Sequence, residues 1–150
     1  MDGVLSDFNA HYEALTGKPI DKSDRKKLDL SIIDGSDFFK TMPPTSSFHL
    51  IQDHFRHLPN PVVLTGLPVS DIENAIMNKR RWLNAHWGNH ISMIACLSKD
   101  KHLHCKPGDI LIDDWNKYEA SWVAKGGIFI HYTSYQRSFT LLDTILRFAK

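Results

Sequence analysis

Pro61-Val62-Val63-Leu64-Thr65-Gly66-Leu67-Pro68 is the stretch on which the fold turns. Val62–Thr65 is an apolar run without polar alternation, closed by Gly66-Leu67-Pro68, as expected of a strand buried on both faces of a parallel sheet. On its amino side Phe48, Ile51, Phe55 and Leu58 recur at helical spacing and stop at Pro59-Asn60-Pro61. On its carboxyl side Ile72, Ala75, Ile76 and Leu83 supply the apolar face of a second helix, which Gly88 ends. Ser70 and Glu73 have capping-box spacing at the start of that helix.

The same grammar repeats outward. Further strands are expected at Ile91–Cys96, Asp109–Ile112 and Gly127–His131, and Phe139, Leu142, Ile145 and Leu146 mark a closing helix. Strand–helix–strand alternation with apolar strands predicts an α/β fold: a doubly wound, mostly parallel sheet with helices on both faces. In such sheets ligands sit beyond the carboxyl ends of the strands, where Thr65 and Asp113-Asp114 fall. Towards the amino end Phe8, Tyr12 and Leu15 predict a helix that Gly17-Lys18-Pro19 stops. Residues 18–47 are polar and turn-rich around the aromatic island Gly35-Ser36-Asp37-Phe38-Phe39 and close at Pro43-Pro44-Thr45-Ser46-Ser47. That is too long for an ordinary loop and reads as a small cap of short helices.

The chain has 150 residues, the length of a single domain able to carry such a cap. A net charge of +1 argues against nucleic acid or a membrane surface as partner. Basic residues cluster at Lys22–Lys27 and Lys79–Arg81; acidic residues surround the first cluster, which reads as a solvated face. Cys96 and Cys105 have no CxxC spacing and are expected to be reduced thiols. No apolar run approaches the ~20 residues that span a bilayer. Met1–Phe8 lacks the pattern of a signal peptide, so a cytoplasmic location is expected.

Four pieces carry the chemistry. Asp2-Gly3-Val4-Leu5 precedes a helix; Thr65-Gly66 ends a strand; Lys99, Lys101 and Lys106 lie ahead of Asp113; and Asp113-Asp114 closes Ile110-Leu111-Ile112. An acidic pair at a strand end, with a hydroxyl and a lysine from other segments, suits Mg²⁺-assisted phosphoryl transfer. Hard oxygen ligands hold the metal, while Lys and Thr orient the phosphate oxygens. His102, His104 and Cys105, with His86 or His90, raise a zinc reading, but their spacing matches no recognised finger.

Taken in order, these segments resemble the motifs of the haloacid dehalogenase (HAD) superfamily. Met1–Phe8 (MDGVLSDF) is similar to the first motif, Val62–Gly66 (VVLTG) to the second, Ser98–Lys101 (SKDK) to the third and Ile110–Asp114 (ILIDD) to the fourth. More narrowly, SDFF-x₃-PP, LTGLP, K-x₂-W-x₅-G and LIDD followed by GGIFI resemble the 5′(3′)-deoxyribonucleotidase branch, and they cover nearly the whole chain in order. The resemblance implies a Rossmann-like three-layer domain over residues 1–150 with its cap at about 18–47. It implies a Mg²⁺-dependent phosphatase that hydrolyses nucleoside monophosphates through an aspartyl-phosphate. Asp2 would be the general acid/base and touch Mg²⁺ through its backbone carbonyl. Thr65 would hydrogen-bond the phosphoryl group, with Gly66 beside it. Lys101 would stabilise phosphate and nucleophile, Asp113 would ligate Mg²⁺ with Asp114 in support, and Phe38 and Phe39 would face a nucleobase from the cap.

In the family the attacking aspartate lies two positions before the general acid. For Asp2 that is one residue ahead of Met1, and the strand that carries it lies further ahead still. Covalent catalysis needs that carboxylate. The sequence as given is therefore expected to be an inefficient phosphatase, and its rival reading is a non-catalytic HAD-fold binding or interaction protein. An unpaired sheet position left by the strand would invite pairing between chains.

Overall fold

The run around Thr65 forms strand β1 (Val62–Leu67), which pairs in parallel with β2 (Ser92–Leu97), Thr65 opposite Ala95. The computed structural model describes residues 1–20 and 28–149. Two further strands, β3 (Ile110–Asp113) and β4 (Ile128–His131), pair in parallel with Asp113 opposite His131. The chain is thus a mixed α/β protein with short parallel strands. The expected single sheet is split: among the described residues β1–β2 and β3–β4 are separate two-stranded sheets. The Lys22–Lys27 cluster, and with it part of the expected cap, lies outside the described residues. No helix among those described is long and apolar enough to cross a membrane.

Helix α1 (Phe8–Thr16) begins where the Asp7 carboxylate accepts from the Ala10 N–H and ends at Gly17, whose φ of 66° suits a residue without Cβ. After a 3₁₀ turn at Leu30–Ile32 come α2 (Phe38–Thr41) and α3 (Phe48–Phe55). Residues 28–47 thus hold one 3₁₀ turn and one short helix. Beyond β1 lies α4 (Ile72–His86), beyond β3 the short α5 (Glu119–Val123), and α6 (Tyr135–Phe148) closes the chain. Two 3₁₀ segments, Ser98–His104 and Asn116–Tyr118, stand where apolar periodicity gave no signal.

Helix α4 departs from the expected amphipathic face. Its buried residues are Ala75, Asn78, Lys79, Trp82 and Leu83, whereas Ile72 and Ile76 are exposed. The polar residues face inward because each finds partners there. The Asn78 amide donates to the Ser36 carbonyl at 2.9 Å and to Asn74 Oδ1 at 3.0 Å, and Lys79 is held by the acceptors described below. A satisfied polar group can be buried, and the helix rotates accordingly. The capping box does not form either. Ser70 Oγ donates instead to Asp34 Oδ1 (2.9 Å), and Asp71 Oδ2 accepts from the Gly35 N–H (2.6 Å), so the start of α4 is tied to the Asp34–Gly35 turn.

The core between cap and sheet is aromatic. Trp82 is fully buried, with its ring edge-on to Phe48 at 5.6 Å and its Nε1–H donating to the Met42 carbonyl at 2.7 Å. Phe38 lies edge-on to both Phe8 (5.2 Å) and Phe39 (5.3 Å). Burying each such ring contributes about 1.5–3 kcal/mol.

Candidate functional site

The first six residues wrap into a turn around their own first carbonyl. The Leu5 N–H donates to Met1 O at 2.8 Å and the Gly3 N–H to Ser6 O at 2.8 Å. The turn is fixed from outside by the Pro43–Thr45 segment. There the Thr45 N–H donates to Leu5 O (2.9 Å), Thr45 Oγ1 to Val4 O (2.9 Å), and the Asp7 N–H to Pro43 O (2.8 Å). Gly3 sits at φ 76°, and a Cβ there would fall 2.1 Å from Asp114 Oδ2. The absence of that methyl lets the first turn and the end of β3 come together.

At the carboxyl ends of β1 and β3 this arrangement frames a cavity of about 180 Å³. Asp2, Gly66, Lys79, Lys101, Asp113 and Asp114 line its polar side, and Leu28, Leu30, Ile33, Phe39 and Trp115 its apolar side. Fully buried Lys79 spans the polar side. Its ammonium donates to Asp2 Oδ2 at 2.6 Å, to the Gly66 carbonyl at 2.7 Å and to Thr65 Oγ1 at 3.1 Å, with the Phe39 ring centroid 4.4 Å away. The 3₁₀ segment after β2 brings Lys101 to Asp113, Nζ to Oδ2 at 2.5 Å, while Asp113 Oδ1 accepts from the Trp115 N–H at 3.2 Å. That segment also explains Gly66, where a Cβ would stand 2.3 Å from Ser98 Oγ.

The electrostatics follow from burial and pairing. Burial alone would push the Asp2 carboxyl up, but the Lys79 ammonium and the Met1 amino group outweigh it and hold Asp2 below its ordinary range. Burial lowers Lys79, with Asp2 opposing that shift and Lys101 reinforcing it. Burial also lowers the Met1 ammonium, with Lys101 adding to the effect. Lys79 pairs with Asp2 and Lys101 with Asp113 across the cavity, which Asp114 also lines.

Most residues expected at the site do meet. Asp2, Gly66, Lys101, Asp113 and Asp114 line the cavity, and Thr65 reaches it through Lys79. Phe39 lines it too, whereas Phe38 lies in the core against Phe8 and His11. Of the competing lysines, Lys99 pairs with Asp100 at 3.7 Å, and Lys106, whose backbone N–H donates to the Asp109 carboxylate, lies at the opposite end of β3. Lys79 is the residue that composition hid, because it reads as part of a basic cluster. Its signal was position: it falls four residues after Ala75 and three before Trp82, in the middle of the buried stripe.

The donor set suits a hard divalent cation. The cavity offers carboxylate, hydroxyl and carbonyl oxygens, and Asp113, Asp114 and the Asp2 carbonyl would supply the few protein oxygens that Mg²⁺ takes beside phosphate and water. Among the described residues no three His, Cys, Asp or Glu side chains converge as a preformed cluster. Of the histidines considered for zinc, His86 lies tilted against Trp82 with ring centroids 4.4 Å apart, and His102 Nδ1 lies 2.9 Å from the Lys99 carbonyl. No protein-family model matches the chain, and no curated protein matches its sequence.

Proposed function

We propose that this cavity is a phosphoryl site of the HAD class, built on a Rossmann-like α/β fold, for the phosphate of a nucleoside monophosphate. One observation supports the reading above the others. Asp2, Lys101 and Asp113-Asp114, scattered along the chain, line one cavity at the carboxyl ends of parallel strands, with buried Lys79 among them and Thr65 bonded behind it. A phosphate dianion entering the cavity meets Lys79 and Lys101, with the buried Thr65 hydroxyl behind Lys79 as one of that lysine's acceptors. The apolar wall of Phe39, Leu30 and Trp115 suits the sugar and base beyond the phosphate. Mg²⁺, when bound at Asp113 and Asp114, would neutralise phosphate charge.

Asp2 would serve as the general acid/base. At rest Lys79 keeps it ionised; a phosphate that draws the ammonium away would restore its affinity for a proton. Hydrolysis through an aspartyl-phosphate also requires an attacking carboxylate. Asp2 and Asp113 are each tied to a lysine, so these residues bind and orient phosphate without an evident nucleophile. That favours the second reading for residues 1–150, a nucleotide-binding protein with little turnover.

Isothermal titration with the four deoxynucleoside monophosphates, with and without Mg²⁺, tests both. Saturable binding weakened about tenfold or more by Thr65→Ala or Lys101→Ala is expected. Binding with fast Mg²⁺-dependent phosphate release would overturn the non-catalytic reading. No binding of either nucleotide or inorganic phosphate would overturn the site itself.

A further inference from the structure

The acidic pair at the end of β3 closes a turn that both backbone and side chains hold. The Tyr132 N–H donates to Asp113 O at 2.8 Å and carries the β3–β4 ladder one step past its last strand pair. Asp113 Oδ1 accepts from the Trp115 N–H at 3.2 Å, the bond of an Asx turn. A side chain of the neighbouring strand adds a third restraint. His131, the last residue of β4 and the register partner of Asp113, brings Nε2 to 3.1 Å from the Asp114 carbonyl. A carbonyl oxygen only accepts, so Nε2 is the ring nitrogen that carries the proton.

Strand alternation puts the ring there. Ile130 is turned into the core at 1% exposure, so His131 leaves β4 on the opposite face. It is exposed and does not line the polar cavity, whereas Asp113 and Asp114 do. Past Asp113 the strand pairing ends, and rotation about the Asp114 backbone bonds then decides where that carboxylate points. Tying the Asp114 carbonyl to β4 removes the freedom. The carboxylate is left against Gly3, where a Cβ would fall 2.1 Å from Oδ2.

We propose that His131 is a positioning residue for the acidic pair: its hydrogen bond to the Asp114 carbonyl fixes the direction of the carboxylates and so sets their affinity for a divalent cation. The inference rests on the phosphoryl reading above, in which Asp113 and Asp114 hold Mg²⁺. His131 touches neither cation nor phosphate and acts through Asp114 alone. Loss of such an outer partner weakens metal binding about 10–100-fold in metal sites generally.

Three variants of the whole chain separate the hydrogen bond from the bulk of the ring. His131→Ala removes the donor, His131→Gln places an amide N–H where Nε2 stood, and His131→Asn places it where Nδ1 stood, short of the carbonyl. The readouts are the backbone amide signals of the ¹⁵N-labelled chain without added metal, the affinity for Mn²⁺ by paramagnetic resonance, and the Tm. His131→Ala and His131→Asn shift the Asp114 and Trp115 amide signals and weaken Mn²⁺ binding about tenfold or more at a Tm close to the parent's. His131→Gln restores both. Unshifted amides, an Mn²⁺ affinity equal to the parent's in His131→Ala, or no rescue by His131→Gln overturns the positioning role. An affinity that falls only in step with the Tm overturns it too, because a purely structural residue would move both. A parent chain that takes up no Mn²⁺, while the amides shift as expected, overturns the phosphoryl reading instead and takes the metal role of His131 with it.

Discussion

Lys79→Met deletes the ammonium at the centre of the polar cavity while keeping the length and apolar body of the side chain. Three acceptors lose their donor: Asp2 Oδ2, Thr65 Oγ1 and the Gly66 carbonyl. Removing one partner of a buried pair costs about 3–5 kcal/mol when the remaining charge stays dry. Here the Asp2 side chain is 27% exposed, so water can partly replace the lysine, and the variant also escapes the burial of a cation. The net expectation is a loss of about 2–3 kcal/mol, which lowers the Tm of a chain this size by about 5–10 °C. Asp2→Asn should lose a comparable amount by leaving Lys79 buried beside a neutral amide. The double variant should recover part of the sum, with a coupling of about 2 kcal/mol.

Urea and thermal unfolding followed by circular dichroism at pH 7 measure all three variants. The pH dependence adds a check on sign. The folded pKa of Asp2 is depressed, so its stabilising share is present above the unfolded value near ~4 and is lost as pH falls through the folded one. The difference between parent and Asp2→Asn should accordingly hold at neutral pH and shrink in acid. A Lys79→Met chain within about 0.5 kcal/mol of the parent, or strictly additive behaviour in the cycle, would refute the reasoning.

Three further outcomes are expected. Gly3→Ala forces a Cβ to within 2.1 Å of Asp114 Oδ2 at φ 76°, so the urea midpoint should fall by the equivalent of about 2–3 kcal/mol. Trp82→Phe leaves the buried Met42 carbonyl without its donor at 2.7 Å and should cost about 1–3 kcal/mol in the same assay. Burial beside the Phe38 ring lowers the pKa of His11, with Asp37 opposing in part. The unfolded chain therefore binds the proton first as pH falls below about 6.5, and stability declines from there through the folded value. His11→Gln should flatten that slope in denaturation curves taken between pH 7 and pH 5.

Local rules carried the reading wherever one residue type decided the outcome. The apolar runs at Val62–Thr65 and Ile110–Ile112 became strands because nothing polar interrupted them, and their ends placed Thr65 and Asp113 where the cavity formed. Gly17 ended its helix because φ 66° suits a residue without Cβ. The expectations that failed were those a partner decides. Ile72 and Ile76 face water because Asn78 and Lys79 found hydrogen bonds inside, an exchange that hydropathy cannot anticipate. Ser70 falls one residue ahead of the actual N-cap, Asp71, and its hydroxyl instead donates to Asp34, 36 residues away in sequence. The 3₁₀ segment Ser98–His104 carries no apolar period, yet it is what delivers Lys101 to Asp113.

The split sheet bears on the polar cavity as well. Parallel strands are ordinarily buried on both faces, and a sheet interrupted between β1 and β3 leaves apolar side chains and backbone groups of its middle lining an open slot. The polar cavity stands at the carboxyl end of that slot, and its two ion pairs hang from opposite banks. Thr65 and Gly66, which with Asp2 hold Lys79, belong to β1; Asp113, which holds Lys101, belongs to β3. The distance between Lys79 and Lys101, and so the span of any phosphate they share, depends on how the half-sheets are held. At present α3, α6 and the Met1–Ser6 turn do that through apolar packing. The separation between β1 and β3 therefore sets the spacing of the Lys79 and Lys101 ammonium groups.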